Sequence, residues 1–249
     1  MYKDSLSLAE APQASRKELL TAQLLWSREQ ILKRIKGDAL WWLRNATRTF
    51  NPQWLKQGYD GPYQPFPDHE YLDYLFDFLR PKKAMRFEWN RNNVPNDSER
   101  GSWLRIVEKS RTMLGTWGCV AHFTHAAITL PGQEFIFQSQ TQDKAEELIG
   151  YAKILWDNQE PWLKAEFPLD RKLAELPKDL VRWANGSRIV GIPNDPEKIR
   201  SYHPTGLLMD EAAFMEEFRR NLETAMHACQ FIVALSSAGP SEFGDWVNS

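Results

Sequence analysis

Two adjacent carboxylates, Asp210 and Glu211, follow an uncharged run of residues and are the strongest chemical signal in the sequence. The run Gly206-Leu207-Leu208-Met209 is typical of a buried parallel strand, and the Ala-Ala-Phe after the carboxylates is compatible with a helix. Open α/β sheets bind their ligands at the carboxyl ends of such strands. There the first carboxylate would hold a Mg²⁺ shell and the second would activate a water, as in nucleotide hydrolysis. The alternative is an ordinary strand end whose aspartate caps the next helix.

A second candidate element has the order strand, loop, helix that a phosphate-binding loop requires. The run Leu104–Glu108 leads into Lys109-Ser110-Arg111-Thr112-Met113-Leu114-Gly115-Thr116 and then into helical sequence. Against the pattern G-x-x-x-x-G-K-[ST], only Thr116 fits, since Lys109 and Leu114 take the glycine positions and Gly115 takes that of the lysine. A lysine at the start of the loop can still place its ammonium on the β/γ-phosphates. Gly115 permits close backbone approach, and Thr116 offers a hydroxyl to Mg²⁺.

A third strand-like run, Phe231–Leu235, ends in Ser236 and Ser237 and a Gly-Pro turn. Beside the strand that ends in the two carboxylates, these hydroxyl residues would sense a γ-phosphate. A simple strand followed by a turn is the alternative for this run taken alone. The three strand ends together, in this order, favour a nucleotide site over coincidence.

The rest of the chain supplies the elements that must position these residues. Alternation of short apolar runs with helical periods predicts a parallel sheet covered by helices on both faces, and Asn185-Gly186 predicts a hairpin. An amphipathic helix is expected from Ala14 to about Lys36, docked on the core or, alternatively, binding a partner. The predicted strands are 103–107, 134–138, 180–184, 187–192, 206–209 and 231–235, and the other predicted helices are 68–79, 116–129, 141–156 and 212–228. Residues 58–67 are predicted to form a loop.

Composition excludes several classes of protein. The 249 residues are 42% hydrophobic and 26% charged, as in globular proteins, and no apolar run approaches the length of a membrane span. Cys119 and Cys229 have no zinc-type spacing and lie in apolar surroundings, which predicts buried, reduced thiols and an intracellular setting. The net charge of −2 requires any nucleic-acid contact to come from a local patch or from oligomerisation. Candidates are Arg80–Arg91 and Arg219-Arg220, for which solvated surface is the alternative.

The motifs resemble, in this order, those of the ATPase domain of phage large terminase subunits, the DNA-packaging motors of tailed bacteriophages. The resemblance covers roughly residues 60–245. K-S-R-T-M-L-G-T resembles the family's deviant Walker A loops, G-L-L-M-D-E-A-A-F resembles its Walker B element, and S-S-A-G-P resembles its coupling motif. Ile199-Arg200-Ser201-Tyr202 is similar to the Leu-Arg-Gly element, with serine in place of glycine. F-Q-S-Q-T, with Asp143-Lys144-Ala145 beyond it, resembles the turn after the second strand.

The resemblance implies an α/β fold of the P-loop NTPase (ASCE) type and hydrolysis of ATP with Mg²⁺. Thr116 and Asp210 would hold Mg²⁺, and Glu211 would activate water for in-line attack. Residues 109–116 would hold the phosphates, with Lys109 or Arg111 as the main ligand.

The resemblance also gives roles to residues outside the two Walker elements. Ser236 and Ser237 would report loss of the γ-phosphate, and Arg200 would stabilise the transition state in cis or in trans. Tyr63 and Gln64 resemble an adenine-side element, in which the ring stacks on the base and the amide recognises its edge. A proline-rich loop without a ligand is the alternative for that segment.

The expected organisation is a helical N-terminal extension at residues 1–57 and a P-loop ATPase domain at 58–249. Because the chain ends soon after the coupling motif, the family's nuclease domain and DNA cleavage are not expected of it. Implied partners are double-stranded DNA, a homo-oligomeric ring on the portal and the small terminase subunit, without a membrane, in the cytoplasm of an infected bacterium and transiently on the procapsid. The alternatives are a helicase-like translocase of the same core and a non-enzymatic nucleotide-binding scaffold.

Overall fold

The chain divides into two units, residues 1–38 and 39–249. The structure is a computed structural model that describes residues 16–51, 56, 58, 60–80, 104–109, 114–237 and 243–244. The first unit contains helix α1 (Arg16–Gly37), which confirms the helix predicted at this place. An ion pair of 3.3 Å joins Arg34 to Asp38 at its C-terminal end. The predicted domain division at residue 57 stays a prediction.

The second unit is built on a six-stranded sheet. Its strands are β3 (Leu104–Lys109), β4 (Glu134–Gln138), β5 (Leu180–Arg182), β6 (Arg188–Ile192), β7 (Gly206–Asp210) and β8 (Phe231–Ser237). They lie in the order β3-β8-β7-β4-β6-β5, and every neighbouring pair is parallel except β5 and β6. The predicted mainly parallel sheet is therefore confirmed.

The predicted hairpin at Asn185-Gly186 joins the antiparallel strands β5 and β6, and Gly186 has the positive φ of 86° that its turn requires. The predicted strand 180–184 is shorter than expected. The amide of Trp183 already donates to the carbonyl of Ser187 at 2.9 Å, so the chain has begun to turn there.

Helices cover both faces of this sheet. They are α2 (Ala39–Ala46), α3 (Glu70–Leu79), α4 (Gly115–Thr129), α5 (Gln142–Asp157), α6 (Pro161–Glu166), α7 (Pro196–Arg200) and α8 (Phe218–Ala228). The predicted helix 212–228 is wrong over its first turn, where Ala212–Phe214 form a 3₁₀ turn. The predicted loop 58–67 contains strand β2 (Tyr63–Gln64), which pairs antiparallel with β1 (Thr49–Phe50).

The core lies on both faces of the central strands, because successive side chains point to opposite sides. On β4, Phe135 and Phe137 face α4, where their rings lie 5.2 and 5.9 Å from that of Phe123. Leu207 and Met209 of β7 pack with α8 on the other face. This burial on both faces is why these strands appear in the sequence as continuous apolar runs.

Cys119 and Cys229 are both free and buried, which confirms the predicted buried thiols. Burial raises the pKa of each thiol well above its ordinary value, so both side chains stay protonated. Across the described part of the chain, none of the helices combines the length and apolar character that crossing a membrane demands.

Candidate functional site

Four side chains from three separate segments meet at the carboxyl edge of the sheet. The Lys109 Nζ donates to the Thr116 Oγ1 at 2.6 Å and lies 3.5 Å from the Asp210 Oδ1 and 3.4 Å from the Glu211 Oε1. The Thr116 hydroxyl in turn donates to the Asp210 Oδ1 at 3.0 Å. The lysine at the start of the loop therefore reaches the place where the threonine and both carboxylates converge.

The local backbone explains how these groups come together. Lys109 is the last residue of β3, and Thr116 is in the first turn of α4. Leu114, just before α4, and Glu211, just after β7, have φ values of 52° and 56° and are the described non-glycine residues with positive φ. Left-handed backbone is unfavourable for residues with a side chain and clusters at functional sites. Here the left-handed residues turn the chain sharply, Leu114 before Thr116 and Glu211 after Asp210.

The electrostatics of the cluster depend on burial. Asp210 is 7% exposed, and its burial raises the pKa of its carboxyl, with Lys109 acting in the opposite direction and Glu211 adding to the rise. The ammonium of Lys109 compensates two carboxylates whose mutual repulsion would otherwise be costly. Asp210 does not act as a simple helix cap, which was the alternative for this strand end. Its carboxylate instead accepts a hydrogen bond from Thr116 and forms an ion pair with Lys109 that joins β3 to β7.

A cavity of about 310 Å³ opens directly beside this cluster. Its described lining comes from the three segments already named, from the segment after β4 and from α5. The lining residues are Lys109, Leu114, Gly115, Thr116, Trp117, Ser139, Gln140, Lys144, Glu147, Leu148, Tyr151, Asp210 and Glu211.

One wall of the cavity is a polar and aromatic surface that sequence reasoning did not assign. The Trp117 and Tyr151 rings stack at 4.2 Å with an interplanar angle of 18°. Tyr151 donates to one oxygen of Glu147 at 2.7 Å, and Lys144 donates to the other at 3.1 Å. Although burial acts to raise it, these two hydrogen bonds lower the pKa of Glu147. The signal that could have found this wall is its helical spacing, which puts Lys144, Glu147 and Tyr151 on one face of α5.

Of the predicted hydroxyl pair at the end of β8, Ser236 has a definite contact in the structure. Its Oγ accepts a hydrogen bond of 3.1 Å from the amide of Ala213, two residues after Glu211. Ser237 pairs in register with Lys109. The predicted loop residues Ser110, Arg111, Thr112 and Met113 and the turn 238–240 lie outside the described residues, as do residues 81–91 of the predicted basic stretch.

Other predicted site residues do not line this cavity. Tyr63 is 46% exposed with its ring 5.2 Å from that of Phe50, and the Gln64 amide donates to the carbonyl of Gly61 at 3.1 Å. Their neighbour Phe66 does connect with the site, since its ring meets that of Trp117 edge-on at 5.9 Å.

Arg200 ends α7, in the segment of the chain that leads into the amino end of β7, and does not line this cavity. It donates to Glu197 at 2.8 Å and, with Arg220, lines a separate open surface cavity of about 710 Å³. Tyr202, two residues further on, lies under the guanidinium of Arg188, which begins β6. The structure therefore separates Arg200 from the cluster of its own chain.

The candidate DNA-contacting arginines of α8 are paired with acids on the surface. Arg219 lies 3.8 Å from Glu223, and Arg220 lies 3.1 Å from Glu217 and 3.5 Å from Glu197.

The oxygen donors of the cluster fit a hard divalent cation. A threonine hydroxyl and an aspartate oxygen 3.0 Å apart are the ligand types that Mg²⁺ takes beside substrate phosphates. Within the described ranges, no group of three or more His, Cys, Asp or Glu side chains could hold a metal by itself.

Comparison with known proteins gave matches by structure. No protein-family model matches the sequence, and no curated protein matches it. The HK97 bacteriophage large terminase superposes with a TM-score of 0.58 at 8% identity, over 86% of this chain and 40% of that chain. The fold is that of a phage large terminase. The predicted α/β fold, a mainly parallel sheet flanked by helices, is thereby confirmed, and the chain spans less than half of the HK97 protein.

Two further terminase structures match with lower scores. The Thermus phage P74-26 large terminase ATPase domain has a TM-score of 0.42 at 16% identity, over 69% of this chain and 71% of that one. The large terminase of another thermophilic bacteriophage, in complex with ADP, has a TM-score of 0.36 at 16% identity, over 61% of this chain and 37% of that one. The terminase-type fold rests on the HK97 match.

Proposed function

We propose that this chain hydrolyses ATP as the motor domain of a phage large terminase and so drives double-stranded DNA into a procapsid. The observation that carries the proposal is the convergence of Lys109, Thr116, Asp210 and Glu211 beside a cavity, at the carboxyl edge of a terminase-type sheet. This edge is where open α/β sheets bind ligands. The four residue types are those that phosphoryl transfer needs.

In this mechanism each group of the cluster has one task. Lys109 leaves the two carboxylates and neutralises charge on the β- and γ-phosphates. Thr116 and Asp210 would hold the cation, which would neutralise phosphate charge. Glu211, 36% exposed at the cavity, accepts the proton of a water that attacks in line with the leaving group. Because Lys109 now bridges to both carboxylates, nucleotide binding exchanges one set of ion pairs for another.

Arg200 acts on the nucleotide of a neighbouring copy in this proposal. Its side chain is 59% exposed and belongs to the segment that leads into the amino end of β7, whereas Asp210 ends that strand. Five residues of strand correspond to roughly 13–17 Å. An arginine at this position is better placed to reach the nucleotide of a neighbouring copy than that of its own chain. An arginine finger typically increases turnover by a factor of about 10³–10⁵.

We also propose the partners that this activity requires. They are double-stranded DNA, a ring of copies of this chain on the portal, and the small terminase subunit, in the cytoplasm of an infected bacterium and on the procapsid. DNA would be held through its phosphates, with strong salt dependence.

The test is ATP binding and turnover by the wild type, Lys109→Ala, Glu211→Gln and the control Lys164→Ala. Lys164 pairs with Asp157 outside the cavity, so its loss should leave turnover unchanged. We expect Glu211→Gln to bind Mg-ATP but not hydrolyse it, and Lys109→Ala to bind more weakly. Turnover that survives Glu211→Gln, or wild-type protein that does not bind Mg-ATP, would contradict the proposal.

The role of Arg200 has a separate test by subunit mixing. Arg200→Ala and Glu211→Gln are each expected to be inactive, but a mixture forms interfaces with an intact Glu211 on one side and an intact Arg200 on the other. Turnover regained on mixing supports action in trans. Equal loss in the mixture and in each variant refutes it.

A further inference from the structure

The turn that carries Glu211 has a conformation that its own sequence does not favour. Glu211 has φ 56° and ψ 40°, and Ala212–Phe214 follow as a 3₁₀ turn. A left-handed glutamate followed by two alanines would relax readily into ordinary helix if nothing opposed it. Such strained backbone persists where the surrounding structure holds it.

Three hydrogen bonds from the neighbouring segments hold this turn, which we call the Glu211 turn (residues 210–214). The Ser139 Oγ donates to the carbonyl of Asp210 at 3.4 Å, and the Ser236 Oγ accepts from the amide of Ala213 at 3.1 Å. The Gln140 Nε2 donates to the carbonyl of Phe214 at 2.8 Å. The turn is thus fixed at its start, its middle and its end, from β8 on one side and from the segment after β4 on the other.

Gln140 differs from the two serines in one respect. Ser139 and Ser236 are buried, at 2% and 0% exposure, whereas Gln140 is exposed and its donor bonds a carbonyl at the surface. It also lines the cavity that holds Glu211 and Lys109. Gln140 therefore touches the end of the Glu211 turn and the candidate nucleotide site at the same time.

We propose that Gln140 is a positioning residue that keeps the Glu211 carboxylate aimed into the cavity. This inference rests on the proposed ATP hydrolysis and assigns to it a residue that contacts the catalytic turn only through the backbone. When the bond to Phe214 is lost, the turn samples conformations in which Glu211 no longer faces an attacking water. Turnover then falls while nucleotide binding, which depends on Lys109 and Thr116, is kept.

The test compares Gln140→Met with Gln142→Met. Methionine keeps the length of glutamine but cannot donate. Gln142 is a matched control, because its amide also donates to a backbone carbonyl, that of Gly191 at 3.5 Å, but it does not line the cavity. We expect kcat of Gln140→Met to fall about 2- to 10-fold, the factor for one net hydrogen bond, with KM for ATP within about twofold of wild type. Gln142→Met should match wild type in both constants.

Hydrogen exchange gives a second readout that does not need catalysis. Amides in a peptide covering 210–215 should exchange several-fold faster in Gln140→Met than in wild type or Gln142→Met. An unchanged exchange rate in this peptide refutes the inference. So does an unchanged kcat, or a raised KM with unchanged kcat, which would make Gln140 a nucleotide ligand.

The two readouts separate this inference from the function it rests on. If wild-type protein does not hydrolyse ATP but Gln140→Met still speeds exchange in 210–215, the proposed function fails and the structural role of Gln140 stands. If wild type hydrolyses ATP and Gln140→Met changes neither readout, the proposed function stands and this inference fails.

Discussion

His122 gives the stability of this protein a pH dependence that one substitution should remove. Its ring is buried in α4 among Phe76, Phe123 and Phe231, and neither ring nitrogen has a hydrogen-bond partner among the described residues. Burial, aided by the nearby His125, lowers its pKa from 6.5 to about 3. Between these two values the unfolded chain binds a proton that the folded chain does not.

The sign and size of the effect follow from this difference. Because the unfolded state binds more protons below pH 6.5, the free energy of unfolding falls as the pH falls, down to about pH 3. The loss is roughly 1.4 kcal/mol per pH unit, or about 2 kcal/mol at pH 5 relative to pH 7. His122→Leu should remove this loss. At pH 7 it should also recover part of the roughly 1–3 kcal/mol that an unsatisfied buried polar group costs.

Urea unfolding of wild type and His122→Leu at pH 7 and pH 5 measures this difference directly. Carboxylates contribute equally to both proteins and cancel in the comparison. Phe123→Leu is the control, since it disturbs the same core without a titrating group and should lower stability equally at both pH values. A wild-type pH dependence retained in His122→Leu would refute the assigned burial of the neutral ring.

Three further substitutions test the packing and charge of the site. In Gly115→Ala the new methyl would lie 3.1 Å from the Tyr71 hydroxyl and 3.2 Å from the Lys109 Cδ, so the Lys109 side chain must shift. The KM for ATP should therefore rise by about tenfold, within the range that small misplacements of a binding group cost. In Gly206→Ala the methyl would lie 2.9 Å from the ring of Phe123, and urea unfolding should show a loss of about 1–3 kcal/mol from overpacking. Lys144 lines the cavity, so Lys144→Gln should raise the KM for ATP by about two- to fivefold. Stability should change little, because the ion pair of Lys144 with Glu147 is exposed. Lys164→Gln should change neither KM nor stability.

The sheet was predictable because its strands are buried on both faces. The runs 206–209 and 231–235 are apolar without interruption, and each is found as a strand, lengthened by one residue in β7 and by two in β8. The lysine at the start of the loop was predictable for a similar reason. A strand end fixes where its last side chain begins, and Lys109 closes β3.

The Glu211 turn was not predictable from local preference. Asp-Glu-Ala-Ala-Phe favours helix, and a helix from 212 was the natural expectation. What decides the outcome is a bond from Ser236 on β8, more than 20 residues away in sequence, to the amide of Ala213. The polar and aromatic wall of the cavity was not predicted for another reason. Helical spacing shows that Lys144 and Tyr151 share a face, but only the packing of α5 beside α4 shows that this face meets Trp117.

The small residues at the end of β8 are explained by the course of Lys109. β8 lies between β3 and β7, so the Lys109 side chain must cross the end of β8 to lie 3.5 Å from Asp210. Neighbouring strands are about 4.8 Å apart, which puts β3 and β7 about 10 Å apart, a gap that an extended lysine and an aspartate cover together. Lys109 lies level with Ser237 and Asp210 level with Leu235, so β8 extends two residues beyond the carboxylate. Successive side chains of β8 point to opposite faces, so one of positions 236 and 237 shares the face on which the lysine passes, and a small residue there leaves its path open. A loop whose lysine enters from its first position therefore limits the size of a side chain more than 120 residues later in the sequence, while the Ser236 hydroxyl also accepts the hydrogen bond from the amide of Ala213.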